Sequence, residues 1–212
     1  MRKIKFQNNY YYHIYNRGVD KRDVFMDEKD FVRFIRSIRE FNTINPIGSL
    51  YQKEKHSGST ASEAVEPLVE IITYCLNPNH YHLILKQLTE NGISEFIRRL
   101  SGGYTWYFNF KNNRSGTLFQ GKFKSIHINT DSYLLWLSGY INGNPEIHKI
   151  AKAENYKWSS YPDYLGKRDG TLCNKNIILK DFKNIQEYKN LVNIIIRESR
   201  QRKDDIKKYL LE

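Results

Sequence analysis

Residues 68–86, LVEIITYCLNPNHYHLILK, constrain the fold of this chain more than any other stretch. Two apolar runs, each too short for a core helix, flank Asn77-Pro78-Asn79. Asn and Pro at the centre set a turn, so the runs fold back on one another as an antiparallel hairpin. Upstream, YYYHIYNRG (Tyr10 to Gly18) reads as another strand, closed by a glycine. MDEKDFVRFIRSIREFN follows it, with Phe31, Phe34, Ile35 and Ile38 at helical spacing behind an acidic first turn. Downstream, ISEFIRRLSGGYTWYFNFKNN is an amphipathic helix loosened at Gly102 and Gly103, and GKFKSIHIN is a strand. DSYLLWLSGYINGNP is a helix with Asp131 as its cap and Pro145 as its stop. The order strand-helix-strand-strand-helix-strand predicts an α+β, ferredoxin-like antiparallel sheet with helices packed on one face.

This domain spans residues 1–150, interrupted at 43–66 by a polar, mobile insertion with KEKHSGSTASEA at its centre. His56 lies there with nothing nearby to complete a metal shell. Residues 151–212 form a C-terminal extension: a tyrosine-rich segment, YKWSSYPDYLG, then a terminal helix from about Asp181. Phe182, Ile185, Tyr188, Val192 and Ile195 give that helix an apolar stripe.

A net charge of +11 points to a polyanionic partner. The 16 Tyr, 11 Phe and 3 Trp supply stacking surfaces beside the charge, the combination that holds single strands. Cys75 and Cys173 alone exclude a disulfide scaffold or a cysteine-rich zinc site. The basic N-terminus is followed by no apolar signal core, and no stretch reaches spanning length, which predicts cytoplasmic, nucleoid-associated residence.

His80 and His82 are two apart in a strand and share a face, so they present two imidazoles side by side, while Tyr81, Leu83 and Leu85 point into the core. Two histidines leave coordination positions open, as a catalytic metal requires. Tyr140 and Asn144, four apart, share a helical face. The Asn144 amide oxygen would be a hard neutral third ligand for Mg2+ or Mn2+, and an adjacent cation would favour the Tyr140 phenolate; from the residues alone, a histidine pair hydrogen-bonded at the sheet surface and a core tyrosine stay open as alternatives. Gly139 and Gly143 beside them call for close approach or helix mobility.

In this order, YCLNPNHYHLILK, YTWYFNFKNNRSGTLFQGKFKS, YLLWLSGYINGNP and WSSY resemble the REP-associated tyrosine transposases of the HUH, IS200-like group, over roughly residues 8–165. The resemblance implies that His80, His82 and Asn144 bind a divalent metal and that Tyr140 is the nucleophile. It implies cleavage of single-stranded DNA at hairpin-forming palindromic elements, through a 5′-phosphotyrosine and a free 3′-hydroxyl. Monomer and homodimer both stay open. Two positions depart from the family: Asn77 stands where Met is expected, in a turn read as lying outside the metal shell. Lys122 stands where Arg is common, keeping the charge and losing the guanidinium fork.

Arg98, Arg99, Lys111, Arg114, Lys122 and Lys124 concentrate between the hairpin and the Tyr140 helix, with Phe119, Phe123 and Trp106 among them. This is the expected DNA-binding surface. Two alternatives accompany the strand-transferase reading: a catalytically silent nucleic-acid-binding module, and a metal-dependent nuclease that uses water.

Overall fold

Asp27 starts the first helix by accepting a hydrogen bond from Asp30 N at 3.1 Å, which caps α1 (Glu28–Glu40). The computed structural model describes residues 5–50 and 66–209, the side chains of 203–209 excepted. Most of the polar insertion, His56 included, lies outside the described residues. The elements after α1 and the preceding strand β1 (Tyr11–Arg17) are β2 (Val69–Asn77), β3 (His80–Gln87), α2 (Gly92–Lys111), β4 (Lys124–Ile128) and α3 (Asp131–Ile147). Two short helices, α4 (Tyr161–Tyr164) and α5 (Asn176–Leu179), precede the terminal α6 (Ile185–Tyr209).

The four strands form one antiparallel sheet in the order β2-β3-β1-β4, the α+β arrangement expected from the element order. Its register follows the period-2 pattern of β3. Tyr81, Leu83 and Leu85 are fully buried, whereas His80 and His82 on the alternate positions are half-buried.

Three details of the helices differ from the sequence expectation. α2 runs unbroken through Gly102 and Gly103, held by the buried Ile97, Leu100 and Tyr104. A Cβ on Gly103 would meet the Phe41 ring at 2.8 Å, so glycine is there for close packing. In α3 the cap is Thr130, whose hydroxyl accepts from Tyr133 N at 3.2 Å, and Asp131 is a first-turn acid. Pro145 does not stop α3, which gives up the one bond proline cannot donate and continues to Ile147.

The described chain divides into two compact units. The first holds residues 1–70, 78–81 and 85–127, and its core is an aromatic cluster. Phe25, Phe34 and Tyr104 meet edge to face or tilted, and Tyr104 donates to Val24 O at 2.6 Å. The second holds residues 71–77, 82–84 and 128–212, so α3 clusters with the C-terminal segment and with parts of β2 and β3.

In the second unit α6 packs along α3 at the glycines. A Cβ on Gly139 would fall 2.6 Å from Ile195 Cδ1, and one on Gly143 would fall 2.7 Å from Ile196 Cγ1. The Tyr188 hydroxyl sits between the helices, 3.2 Å from Ser138 Oγ, and accepts from Asn142 Nδ2 at 2.8 Å. Ser160 of the WSSY segment donates to Asn142 Oδ1 at 2.7 Å, and Ser160 N donates to Tyr74 O at 2.9 Å. That segment therefore joins β2 to α3. No helix among the described residues is long and apolar enough to cross a membrane.

Candidate active site

In the second unit the structure brings together His82, Tyr140, Asn144 and Asn77. The His82 and Tyr140 rings meet edge-on with centroids 6.3 Å apart. Tyr140 is half-buried, and burial raises its pKa above the ordinary phenol value, while the Asn144 amide beside it pulls the value back. The neutral phenol is thus the resting form. Asn144 is fully buried, and its Oδ1 accepts from Asn77 Nδ2 at 2.5 Å. Its Nδ2 is also buried but completes no hydrogen bond, so its pull on the phenol stops short of full bonding geometry.

Asn77 corrects an expectation. It is a fully buried residue at the end of β2, and its amide holds the Asn144 amide directly. A turn position outside the site would do neither. The spacing along the chain, 67 residues, hides this contact from any local pattern.

His80 stands two residues before His82 on the same face of β3, within the first unit. Its tautomer follows from hydrogen-bond logic. Asn79 Nδ2 donates to Lys21 O at 3.1 Å, and a carbonyl only accepts, so the orientation of the Asn79 amide is set. Asn79 Oδ1 then faces His80 Nδ1 at 2.6 Å and takes its proton-bearing nitrogen. The lone pair of His80 is left on Nε2, the arrangement of a metal-ligating histidine oriented by a carbonyl.

Among the described residues no group of three or more His, Cys, Asp or Glu gathers as a metal site. His80, His82 and Asn144 each carry a neutral donor of a type that divalent cations accept: His80 with its tautomer fixed, His82 half-buried, and Asn144 with one end of its buried amide unsatisfied.

Sequence reasoning also passed over Trp136. Its indole stacks on the Tyr140 ring at 5.4 Å and 11°, and Tyr133 stacks on Trp136 at 6.2 Å and 17°. The three rings form a ladder along α3, with Trp136 40% exposed. The signal was present, since aromatics at Tyr133, Trp136 and Tyr140 follow helical spacing.

The basic residues between the hairpin and α3 divide into two groups. Three of them bind inside the protein. Arg99 pairs with Glu95 at 2.7 Å and donates to Thr43 O at 2.6 Å. Lys111 bridges Asp27 at 2.8 Å and the fully buried Asp30 at 2.6 Å. Arg114 donates to Asn109 Oδ1 at 2.7 Å and Thr117 O at 3.2 Å, which shapes its own loop. Arg98, Lys122 and Lys124 are solvent-exposed, although Arg98 also grips Glu95 with two bonds. Together Arg98 and Arg99 hold the Glu95 carboxyl down at about 2.

Arg98 and Lys122 line a cavity of about 940 Å3 in the first unit, with Lys5, Phe6, Trp106 and Phe123. Phe119 is buried, edge-on to Tyr81, and reaches the cavity only from its wall. Trp106 is exposed and stacks on exposed Phe110 at 5.5 Å and 7°, an aromatic surface open to solvent. Cations beside flat exposed rings can pair with phosphates and stack on bases at once.

A family model described as IS200-like transposase matches residues 53–144. Among solved structures, a REP-associated tyrosine transposase bound to a REP hairpin superimposes with a TM-score of 0.52 at 13% identity, over 79% of this chain and 86% of that one. A Deinococcus radiodurans R1 protein described as a transposase is more distant, with a TM-score of 0.37 at 15% identity, over 66% of this chain and 95% of that one. Comparison with curated proteins gives no significant match. The resemblance read from the motifs is borne out over residues 53–144, and the fold is that of the REP-associated transposase.

Proposed function

We propose that this chain is a transposase-like DNA strand transferase that cuts single-stranded DNA at hairpin-forming elements through Tyr140. The observation that carries the reading is the second-unit cluster, in which Tyr140 lies against the Asn144 amide and the His82 imidazole. The family match at residues 53–144, and the hairpin bound by the structural relative, support DNA as the partner.

Tyr140 Oη attacks the scissile phosphorus in line. The new bond joins Oη to phosphorus, the bond to the 3′ oxygen breaks, and that oxygen leaves as a 3′-hydroxyl after taking a proton. The phenol proton passes to solvent or to a neighbouring base as the bond forms. The downstream fragment stays on Tyr140 through its 5′ phosphate, a phosphodiester that conserves bond energy, so a 3′-hydroxyl can later attack it and rejoin strands without ATP. The Asn144 amide, poised beside Oη, offsets charge on the oxygen when the proton leaves. Mg2+ or Mn2+ held by His80, His82 and Asn144 would supply Lewis-acid neutralisation of the scissile phosphate. Trp136, parallel to the nucleophile ring, keeps that ring from swinging away. Arg98, Lys122 and Lys124 meet the DNA backbone, and Trp106 offers a stacking face.

The test is to incubate wild type and Tyr140→Phe with a labelled single-stranded hairpin oligonucleotide and Mn2+, then run a denaturing protein gel. A label-bearing protein band in wild type alone is the expected result. Cleaved DNA from both proteins without an adduct would establish a water-using nuclease instead. Tight binding by both with no cleavage across a panel of hairpins would leave a binding module.

A further inference from the structure

We infer that Tyr188 of α6 and Asn142 of α3 are positioning residues: their buried hydrogen bonds fix the rotation of α3 that turns Tyr140 toward His82, an inference that rests on Tyr140 as the nucleophile. A chain of hydrogen bonds runs behind the nucleophile, within the second unit, through the fully buried Ser160, Asn142, Tyr188 and Ser138. Tyr74 N donates to Ser160 Oγ at 3.1 Å. Ser160 Oγ donates to Asn142 Oδ1 at 2.7 Å, in preference to Tyr74 O at 3.2 Å. Asn142 Nδ2 donates to Tyr188 Oη at 2.8 Å. Ser138 Oγ gives its one proton to Leu135 O at 2.7 Å, so Tyr188 Oη, 3.2 Å away, donates to Ser138 Oγ. Donor meets acceptor at each step from β2 through α3 to α6 and back.

Ser138 and Asn142 are four apart and share one face of α3, and each is two residues from Tyr140, about 200° around the helix. The chain therefore grips α3 from behind while the Tyr140 ring meets His82, 6.3 Å between centroids. α6 comes near enough to take part because Gly139 and Gly143 leave room for Ile195 and Ile196. Apolar contact of that kind is non-directional and lets α3 turn about its axis. Hydrogen bonds fall off steeply with distance and angle and do not. Side-chain tips stand about 5–6 Å from a helix axis, so a turn of about 20° shifts them by roughly 2 Å. That shift breaks the Asn142 bonds to Ser160 and Tyr188. It also carries Tyr140 Oη out of line, where a misplacement of about 1 Å can slow a reaction roughly 100-fold. Tyr188 and Asn142 touch no reacting atom and act through the angle of the helix. The C-terminal extension is thereby part of what presents Tyr140.

The experiment compares wild type, Tyr188→Phe and Ser160→Ala at a temperature where each is folded. Tyr188→Phe keeps the ring and removes the hydroxyl. Ser160→Ala cuts the link to β2 with α6 untouched, and it carries the test alone should Tyr188→Phe not fold. Copies with 3-fluorotyrosine at position 140 report the surroundings of that ring by 19F NMR, without metal or DNA. On proteins with ordinary tyrosine, the single-turnover rate of covalent adduct formation is measured with a saturating labelled hairpin oligonucleotide and Mn2+, alongside the Kd for that hairpin. The expected result is a shifted or broadened fluorine resonance, an adduct rate lower by about 10- to 100-fold, and an unchanged Kd. Loss of stability alone would leave the folded molecules reacting at the wild-type rate. A wild-type adduct rate, or an unmoved resonance, in the folded variants overturns this inference and leaves the strand-transferase reading standing. Failure of wild type to form an adduct overturns that reading, and this inference with it.

Discussion

The Trp136 indole lies nearly parallel to the Tyr140 ring, 5.4 Å between centroids and 11° between planes, one helical turn before it. The two aromatics pack face to face along α3 with His82 edge-on to the second, so the Tyr140 ring has a wall on one side and an imidazole near its rim. A nucleophile held this way has little rotational freedom to lose when it reacts.

Trp136→Ala removes that wall. Single-turnover cleavage of a hairpin oligonucleotide is expected to slow about 10-fold, which is ~1.4 kcal/mol of barrier. Trp136→Phe keeps a flat ring and should recover most of the rate. Because Trp136 is 40% exposed, the thermal midpoint of Trp136→Ala should move little, and the contrast is read by calorimetry.

The glycines of α3 set helix propensity against packing. Alanine gains up to about 1 kcal/mol over glycine within a helix. At Gly139 the added methyl meets Ile195 Cδ1, the swinging end of a side chain, so Gly139→Ala should be near neutral. At Gly143 it meets Ile196 Cγ1, closer to the backbone, with Cδ1 at 3.2 Å as well. Overpacking of roughly 1–3 kcal/mol should win there, and Gly143→Ala should destabilise in chemical denaturation. Adding Ile196→Ala to that variant should return part of the loss.

Lys111 and Lys122 are both basic residues near α2, and opposite outcomes are expected from them. Lys111→Met strands the Asp30 carboxylate, which is fully buried and otherwise bonded to Met26 N and the Tyr107 hydroxyl. Breaking a buried pair on one side costs about 3–5 kcal/mol, so the unfolding midpoint should fall sharply. Lys122→Met should leave stability in place and weaken DNA binding, with the salt dependence of the binding constant reduced by about one ion.

His13 on β1 is buried, and burial lowers its pKa to about 4 from the ordinary 6.5. Its folded pKa lies below the unfolded one, so the folded state binds the proton less readily. Its stability contribution is full above pH 6.5 and is lost as the pH falls toward 4, by roughly 1–3 kcal/mol. Denaturant unfolding between pH 7 and 4 should show this slope, and His13→Phe should flatten it. An unchanged slope in the variant would assign the pH dependence to other groups.

Local periodicity alone determined that β2 and β3 form a hairpin, that His80 and His82 share a strand face, and that Tyr140 and Asn144 share a helix face. Those relations need only the two-residue repeat of a strand and the four-residue repeat of a helix. The order of elements was likewise enough for the α+β sheet, since each run had one secondary structure it could adopt and one face to bury. Tertiary structure decided the rest. Asn77 reaches Asn144 across 67 residues, Arg99 is committed to Thr43 and Glu95, and Lys111 neutralises a carboxylate at the far end of α1. Gly139 and Gly143 are small because α6 lies against them, a helix whose role no local pattern disclosed. A side chain's repeat says which way it points, but its charge or amide acquires a task only from the atom it meets, and that atom comes from a distant part of the chain.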